Sequence, residues 1–257
     1  MTDIYQEIVR LKAEGEEAAL VTIVSATGST PREEGAKMLV RADGSILGTI
    51  GGGSLEAQVI EEAIRVIGQG KPKRLPISLT AKEVEEKGML CGGELEVFIE
   101  PILTPPTLYL FGGGHISLPL AKMGKLLGFK IAVIDDRAEF ANPARFPEAD
   151  IVLAEDFTPS FSKLKIDKSS YIVVVTRNHQ YDDIVLEWAV GTQAKYIGMI
   201  GSKAKTKVIF SHLLAKGIPK RLLDRVHAPI GLEINAQTPE EIAVSILAEI
   251  IMVRRSP

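Results

Sequence analysis

Cysteine is nearly missing from this sequence: Cys91 is the only one in 257 residues. An internal disulfide is therefore excluded, and the usage fits a reducing compartment. Long apolar runs are missing as well. No stretch approaches the roughly 18 consecutive apolar residues of a membrane-spanning helix, and the opening MTDIYQEIVRLKAEGEEAAL is an amphipathic polar segment without a cationic start or apolar centre. A cytoplasmic protein with no membrane attachment is the expectation. Blocks of like charge are also lacking. Thirty Lys and Arg against 33 Asp and Glu leave a net charge of −3, which offers no basic face to nucleic acid. There is no internal repeat and no low-complexity tract. What is present, 46% hydrophobic and 25% charged residues, suits one large or two modest globular domains.

The clearest interruption is Pro105-Pro106 within LTPPT, since consecutive prolines neither donate to a strand ladder nor continue a helix. Domains over residues 1–103 and 104–257 follow from it. Before the break, a helix over 3–14 leads to strands at 18–24, 37–40 and 45–50, then to an amphipathic helix carrying Leu55, Val59, Ile60, Ala63, Ile64 and Ile67, with further strands at 74–79 and 95–101 flanking a helical stretch at 81–87. This half reads as mixed α+β. After the break, apolar strands at 108–111, 130–134, 151–153, 171–176 and 196–200 alternate with helices at 115–127, 182–190, 204–216 and 240–253. Apolar strands separated by helices indicate a parallel, doubly wound sheet covered on both faces.

The first strand of that second half, LYLF, runs into Gly112-Gly113-Gly114-His115-Ile116-Ser117, a G-x-G-x-x-small pattern between strand and helix. Gly112 permits the tight turn, Gly114 lets a diphosphate approach the backbone, and Ser117 is small enough for helix–strand packing. The next strand ends at Asp135, 23 positions after Gly112, where an acidic group would accept a ribose diol. Arg137 suits a phosphate or an ordinary surface. His115 stands at the helix N-terminus, which favours a neutral, ligating or hydrogen-bonding imidazole; the plainer reading is a solvent-facing residue. This Rossmann-like unit alone motivates an NAD(P)-dependent oxidoreductase.

Three more glycine-containing turns fall in the first half. Gly51-Gly52-Gly53 precede a helix with Ser54 as expected N-cap, and successive N–H groups there form an anion nest or simply a glycine turn. Gly28-Ser29-Thr30-Pro31-Arg32 and Cys91-Gly92-Gly93 complete a candidate binding rim, with Arg32 as its cation. Flanking glycines argue against burial of Cys91 in a packed element, leaving a ligand or nucleophile beside structural filler as its readings. His179 and Asp182 follow the strand at 171–176, at the edge where doubly wound sheets place ligands. Two such groups are too few to assign a metal, and Asp182 would otherwise cap the next helix.

Taken together, GSTPR (28–32) with GAKM (35–38), GTIGGGSLE (48–56), CGG (91–93), GGGH (112–115), DDR (135–137), YIGMIGSK (196–203) and APIGL (228–232) resemble the XdhC/CoxI family of xanthine dehydrogenase accessory factors over nearly the whole chain and in the family's order. The resemblance implies a maturation role: binding and protecting the molybdenum cofactor, a molybdopterin in mononucleotide or dinucleotide form, and loading its sulfurated form into a molybdenum hydroxylase. A xanthine dehydrogenase-type enzyme is then the partner, with a cysteine desulfurase as a second one and a homodimer as the default assembly. Many relatives carry a cysteine where this chain has Ser54; if a protein thiol is required Cys91 is the candidate, and otherwise the cofactor is held by its phosphate and dithiolene ring alone. His179, preceded by Arg177-Asn178, is an imperfect match to the family's histidine. The expected site is a cleft lined by residues 51–54, 91–93 and 112–115, with Cys91, His115 and His179 as its reactive groups.

Overall fold

The computed structural model describes residues 3–78 and 93–256, and the chain divides into units Met1–Thr104 and Pro105–Pro257. In the first unit, α1 (Ile4–Glu14) begins on Asp3, whose carboxylate accepts the Tyr5 N–H, and ends at Gly15 with φ 73°. An Asp cap and a left-handed glycine are the usual start and stop signals of a helix. Strands β1 (Ala18–Thr27), β2 (Lys37–Arg41), β3 (Ile46–Gly48), β4 (Lys73–Ser78) and β5 (Glu94–Ile102) form one antiparallel sheet in the order β3-β2-β1-β5-β4. The central strand β1 sends Ala19, Val21 and Ile23 toward α2 (Gly53–Gln69), where they meet Leu55, Val59, Ala63 and Val66. Ala18 and Leu20 point the other way and pack with Leu11 of α1. Burial on both faces explains why this strand is a continuous apolar run and not a polar–apolar alternation.

The start of α2 differs from expectation. Its N-cap is Gly52, at φ 79°, and Ser54 lies inside the first turn without capping. All three glycines of the run have positive φ, which turns the chain out of the strand and into the helix, so no side-chain cap is needed to set the turn. The helix expected at 81–87, and with it Cys91 and Gly92, lies outside the described residues.

The second unit holds β6 (Thr107–Phe111), α3 (Ser117–Leu126), β7 (Lys130–Asp135), β8 (Ile151–Ala154), the one-turn α4 (Phe157–Ser160), β9 (Ser170–Val174), α5 (His179–Ala189), β10 (Tyr196–Met199), α6 (Lys203–Ala215), α7 (Lys220–Leu223), β11 (Val226–His227) and α8 (Pro239–Arg255). Its six strands are parallel in the order β8-β7-β6-β9-β10-β11. Counted from the unit's first strand this is the order 3-2-1-4-5-6 of a dinucleotide-binding sheet. Phe111, Ile134, Ile172 and Val174 face a cluster with Val185 and Leu186 of α5 and Ile209 of α6. Leu108, Leu110, Ile131 and Val173 face Leu120 of α3 and Ile246 and Ile250 of α8. The doubly wound expectation therefore describes the unit.

Two helix starts depart from the expected positions. α5 begins three residues earlier because Asn178, in extended conformation, caps it by accepting the N–H groups of Gln180 and Tyr181. Asp182 is then not a cap but a fully buried side chain. α3 begins at Ser117, two residues later than expected, since Gly114 to Ile116 complete the turn out of β6. Among the described residues, no helix is long and apolar enough to cross a membrane.

Candidate functional site

β6 and β9 are neighbours in the sheet, and their chains leave toward opposite sides, so the loops that follow them meet at the topological switch point. The glycine loop after β6 is built by contact. A Cβ on Gly112, which has φ 113°, would lie 2.3 Å from the Val175 carbonyl oxygen in the loop after β9. One on Gly113 would lie 2.3 Å from the Phe140 carbonyl oxygen, yet one on Gly114 would meet nothing within 4 Å. The chain itself requires the first two glycines; only a ligand would require the third. Ser117 is fully buried and its hydroxyl donates to the Gly112 carbonyl, closing the turn.

Asp135, 2% exposed at the end of β7, holds this loop from below. One carboxylate oxygen accepts the Arg137 N–H at 3.1 Å and its Nε–H at 2.9 Å. The other accepts the Gly113 N–H at 2.8 Å and Arg137 Nη2 at 3.1 Å. Burial alone would raise the Asp135 pKa, but the Arg137 guanidinium and the two backbone N–H groups outweigh it and hold the carboxyl below its ordinary value. The expectation of a ribose diol on Asp135 thus meets a carboxylate whose acceptor positions are all filled.

Arg137, which the sequence singles out, is joined at this corner by Arg145 and Arg177, which it does not. Arg137 stacks on Phe140, its guanidinium carbon 3.6 Å from the ring centre. Arg145 donates from Nε to the Gly113 carbonyl at 3.2 Å and lies over the same ring at 5.2 Å. Arg177, from the loop after β9, pairs through Nη2 with Asp136 Oδ2 at 2.6 Å and donates to the Tyr181 hydroxyl. His115 and His179 are both exposed, at the starts of the segments after β6 and β9. Beneath them Asp182 accepts from the Thr176 hydroxyl at 2.7 Å and pairs with Lys205 of α6 at 2.5 Å. Asp182 therefore ties the start of α5 to the loop after β9 and to α6, a role that does not involve His179. Among the described residues, no group of three or more His, Cys, Asp or Glu is placed to hold a metal ion.

The first unit carries its own loop cluster. A Cβ on Gly51 would lie 2.4 Å from Pro31 Cγ, and one on Gly93 would lie 2.5 Å from the Ser29 carbonyl oxygen, so the three glycine-containing segments converge. Arg32, Gly53 and Ser54 are exposed on this rim. The expected anion nest receives an anion from the chain itself. Glu56 Oε1 accepts the Thr49 hydroxyl at 2.5 Å and the N–H groups of Ile50 at 3.0 Å, Gly51 at 3.2 Å and Gly52 at 2.9 Å. Burial pushes the Glu56 pKa up, while these donors, the Thr49 hydroxyl foremost, pull it below its ordinary value. An acidic residue in the first turn after a glycine run is the sequence signal for this arrangement. Glu56→Ala strips the loop of its shared acceptor and is expected to lower stability by about 2 kcal/mol; denaturant unfolding measures it, and an unchanged midpoint would mean the loop holds without Glu56.

The glycine loop after β6 lies within a segment that matches a known family. The family described as the XdhC Rossmann domain matches residues 108–250, and the XdhC and CoxI family matches residues 11–78. The chain belongs to the XdhC/CoxI family. Among curated relatives of this chain, the uncharacterized protein YqeB of Escherichia coli is 37% identical over 99% of this chain, which spans only 47% of YqeB. A Bacillus subtilis protein described as a probable xanthine dehydrogenase subunit is 25% identical over 99% of this chain and 98% of its own. The molybdenum cofactor insertion chaperone PaoD of E. coli is 23% identical over 99% of this chain and 90% of its own. A crystal structure from Bacillus halodurans described as a xanthine dehydrogenase shares the fold, with a TM-score of 0.54 and 24% identity over 99% of this chain and 96% of the other. In XdhC/CoxI terms, the matched Rossmann domain contains the glycine loop and the arginine corner.

Proposed function

We propose that this protein is an accessory factor that binds the molybdenum cofactor and passes its sulfurated form to a xanthine dehydrogenase-type hydroxylase. The observation that carries the reading is the open face of Gly114 beside Arg137, Arg145 and Arg177 at the sheet's switch point. A phosphate on the pterin side chain, or the diphosphate of a dinucleotide form, fits there, because backbone N–H groups at a helix start and nearby guanidiniums suit a polyanion. The names of the PaoD chaperone and of the B. subtilis relative support the reading from outside. Bound there, the cofactor supplies the molybdenum–dithiolene centre that the hydroxylase uses.

The residues of this chain then have distinct work. Gly114 leaves room for the phosphate, Asp135 fixes the loop through Gly113, and the exposed imidazoles of His115 and His179 stand where they can hydrogen-bond the ligand. Ser54 offers a hydroxyl where a thiolate ligand would be needed, and Glu56 fills the neighbouring nest, so the Gly51–Gly53 turn does not fit a phosphate while Glu56 stays in place. Sulfuration needs a sulfur donor, which gives a cysteine desulfurase as second partner, in the cytoplasm, with a homodimer as the acting form.

A second reading, an NAD(P)-dependent oxidoreductase, is favoured by the 3-2-1-4-5-6 strand order. One preparation separates the two. Protein purified without oxygen from a host that makes the cofactor is expected to release molybdenum and oxidised pterin near one per chain. Retained nicotinamide nucleotide with no pterin would overturn the accessory reading.

A further inference from the structure

The corner after β7 combines an acid at the strand end with an arginine two residues later, and their bonding decides what the corner can recognise. A free carboxylate at this position receives the two hydroxyls of an unsubstituted ribose, whereas an arginine accommodates a ribose phosphate. Here both oxygens of Asp135 are saturated, each by one backbone N–H and one donor of the Arg137 guanidinium. An incoming diol would have to displace that guanidinium, which is held by two charge-assisted hydrogen bonds and by stacking 3.6 Å above Phe140.

The same bonding leaves cationic donors pointing elsewhere. Arg137 uses Nε and one hydrogen of Nη2 on Asp135, and its side chain remains 25% exposed. Arg177 uses Nη2 on Asp136 and Tyr181 and is 41% exposed. Arg145 uses Nε on the Gly113 carbonyl. Each guanidinium has five N–H donors, so all three keep some for a ligand. Asp136, with its side chain 9% exposed, tethers Arg177 and lies 3.8 Å from Arg137 Nε, and this brings two guanidiniums to one spot in spite of their repulsion. Two like charges held together by buried carboxylates suit a dianion, for which bidentate arginine is the matching donor.

We propose that this corner recognises a phosphate on the ribose: the nucleotide domain takes a dinucleotide with a ribose 2′-phosphate in preference to one with a free diol, with Arg137 and Arg177 on the phosphate and the diphosphate over Gly114. The inference rests on the glycine loop meeting a phosphate, as in the accessory reading. Pterin and dinucleotide then compete for one loop.

Arg137 sets the preference by its own removal. Arg137→Gln leaves Asp135 bonded to the two backbone N–H groups and frees one acceptor position on each oxygen, which is what a vicinal diol needs. Calorimetric titration of the full chain with NADP+ and NAD+ tests this. The unsubstituted protein is expected to bind NADP+ about ten- to hundredfold more tightly than NAD+, the value of one or two charged hydrogen bonds. Arg137→Gln is expected to lose that preference through weaker NADP+ binding and unchanged or tighter NAD+ binding. Arg177→Gln, whose side chain lies at the surface, is expected to weaken NADP+ alone, and it carries the test if the Arg137 variant does not fold. Equal or tighter NAD+ binding by the unsubstituted chain, no binding of either nucleotide, or a preference that survives both substitutions overturns the proposal. Pterin content, measured on the same preparation, judges the accessory reading separately.

Discussion

Gly112→Ala is expected to lower the thermal midpoint of the nucleotide domain by roughly 10 °C, corresponding to about 3 kcal/mol in a unit of this size. Two independent costs add. The residue has φ 113°, a backbone conformation that a side chain disfavours, and its Cβ would stand 2.3 Å from the Val175 carbonyl oxygen and 2.8 Å from the carbonyl carbon. Neither neighbour is a flexible side-chain tip that can swing away. They belong to the backbone following β9, so relief requires β6 and β9 to part at their ends. Gly114→Ala is the matched control. Its Cβ meets nothing, so the midpoint is expected to stay or rise slightly as the unfolded chain loses freedom. Retained pterin should nevertheless fall, because the methyl group enters the space assigned to phosphate. Scanning calorimetry of both variants gives the comparison, and a tolerated Gly112→Ala would mean that the close approach to Val175 is not maintained in solution.

That contrast marks what the sequence could reveal. The strand–glycine–helix unit at 108–126 is local, since apolar period, turn residues and helix start lie within twenty positions and need no partner from elsewhere. The parallel sheet follows from the alternation of apolar strands and helices in the same way, whereas the burial of β1 on both faces shows only in the packing of α1 and α2 against it. Side-chain bonding is not local either. A carboxylate 23 positions after the first glycine reads as a ribose acceptor whether or not it is free, and nothing local says that Arg137 turns back onto Asp135 and not out to solvent. Arg145 and Arg177 reach the corner from loops after β7 and β9, which only the strand order brings together. Glu56 filling the first unit's nest is an intermediate case. The acid in the first turn is visible, but its capture of three successive N–H groups depends on the dihedral angles of the glycines.

Asp135→Ala is expected to cost about 3 kcal/mol at neutral pH, because it removes one partner of a largely buried ion pair and leaves the Gly113 N–H without an acceptor. The loss should depend on pH in a defined direction. The folded-state pKa of Asp135 lies below its unfolded value, so the folded protein binds a proton less readily than the unfolded chain. Its charge-dependent contribution is therefore complete above about pH 5, roughly a unit over the ordinary aspartate value, and is lost as pH falls through the folded value. Urea unfolding of the two proteins should show a constant gap from neutral pH down to about pH 5, narrowing in stronger acid. A gap that persists undiminished at low pH would assign the contribution to packing and not to the ion pair. Adding Arg137→Gln to Asp135→Ala separates the remaining terms: if the single variant suffers from an uncompensated guanidinium, the double variant should recover part of the loss. The Gly113 N–H stays unpaired in both, so recovery should be incomplete.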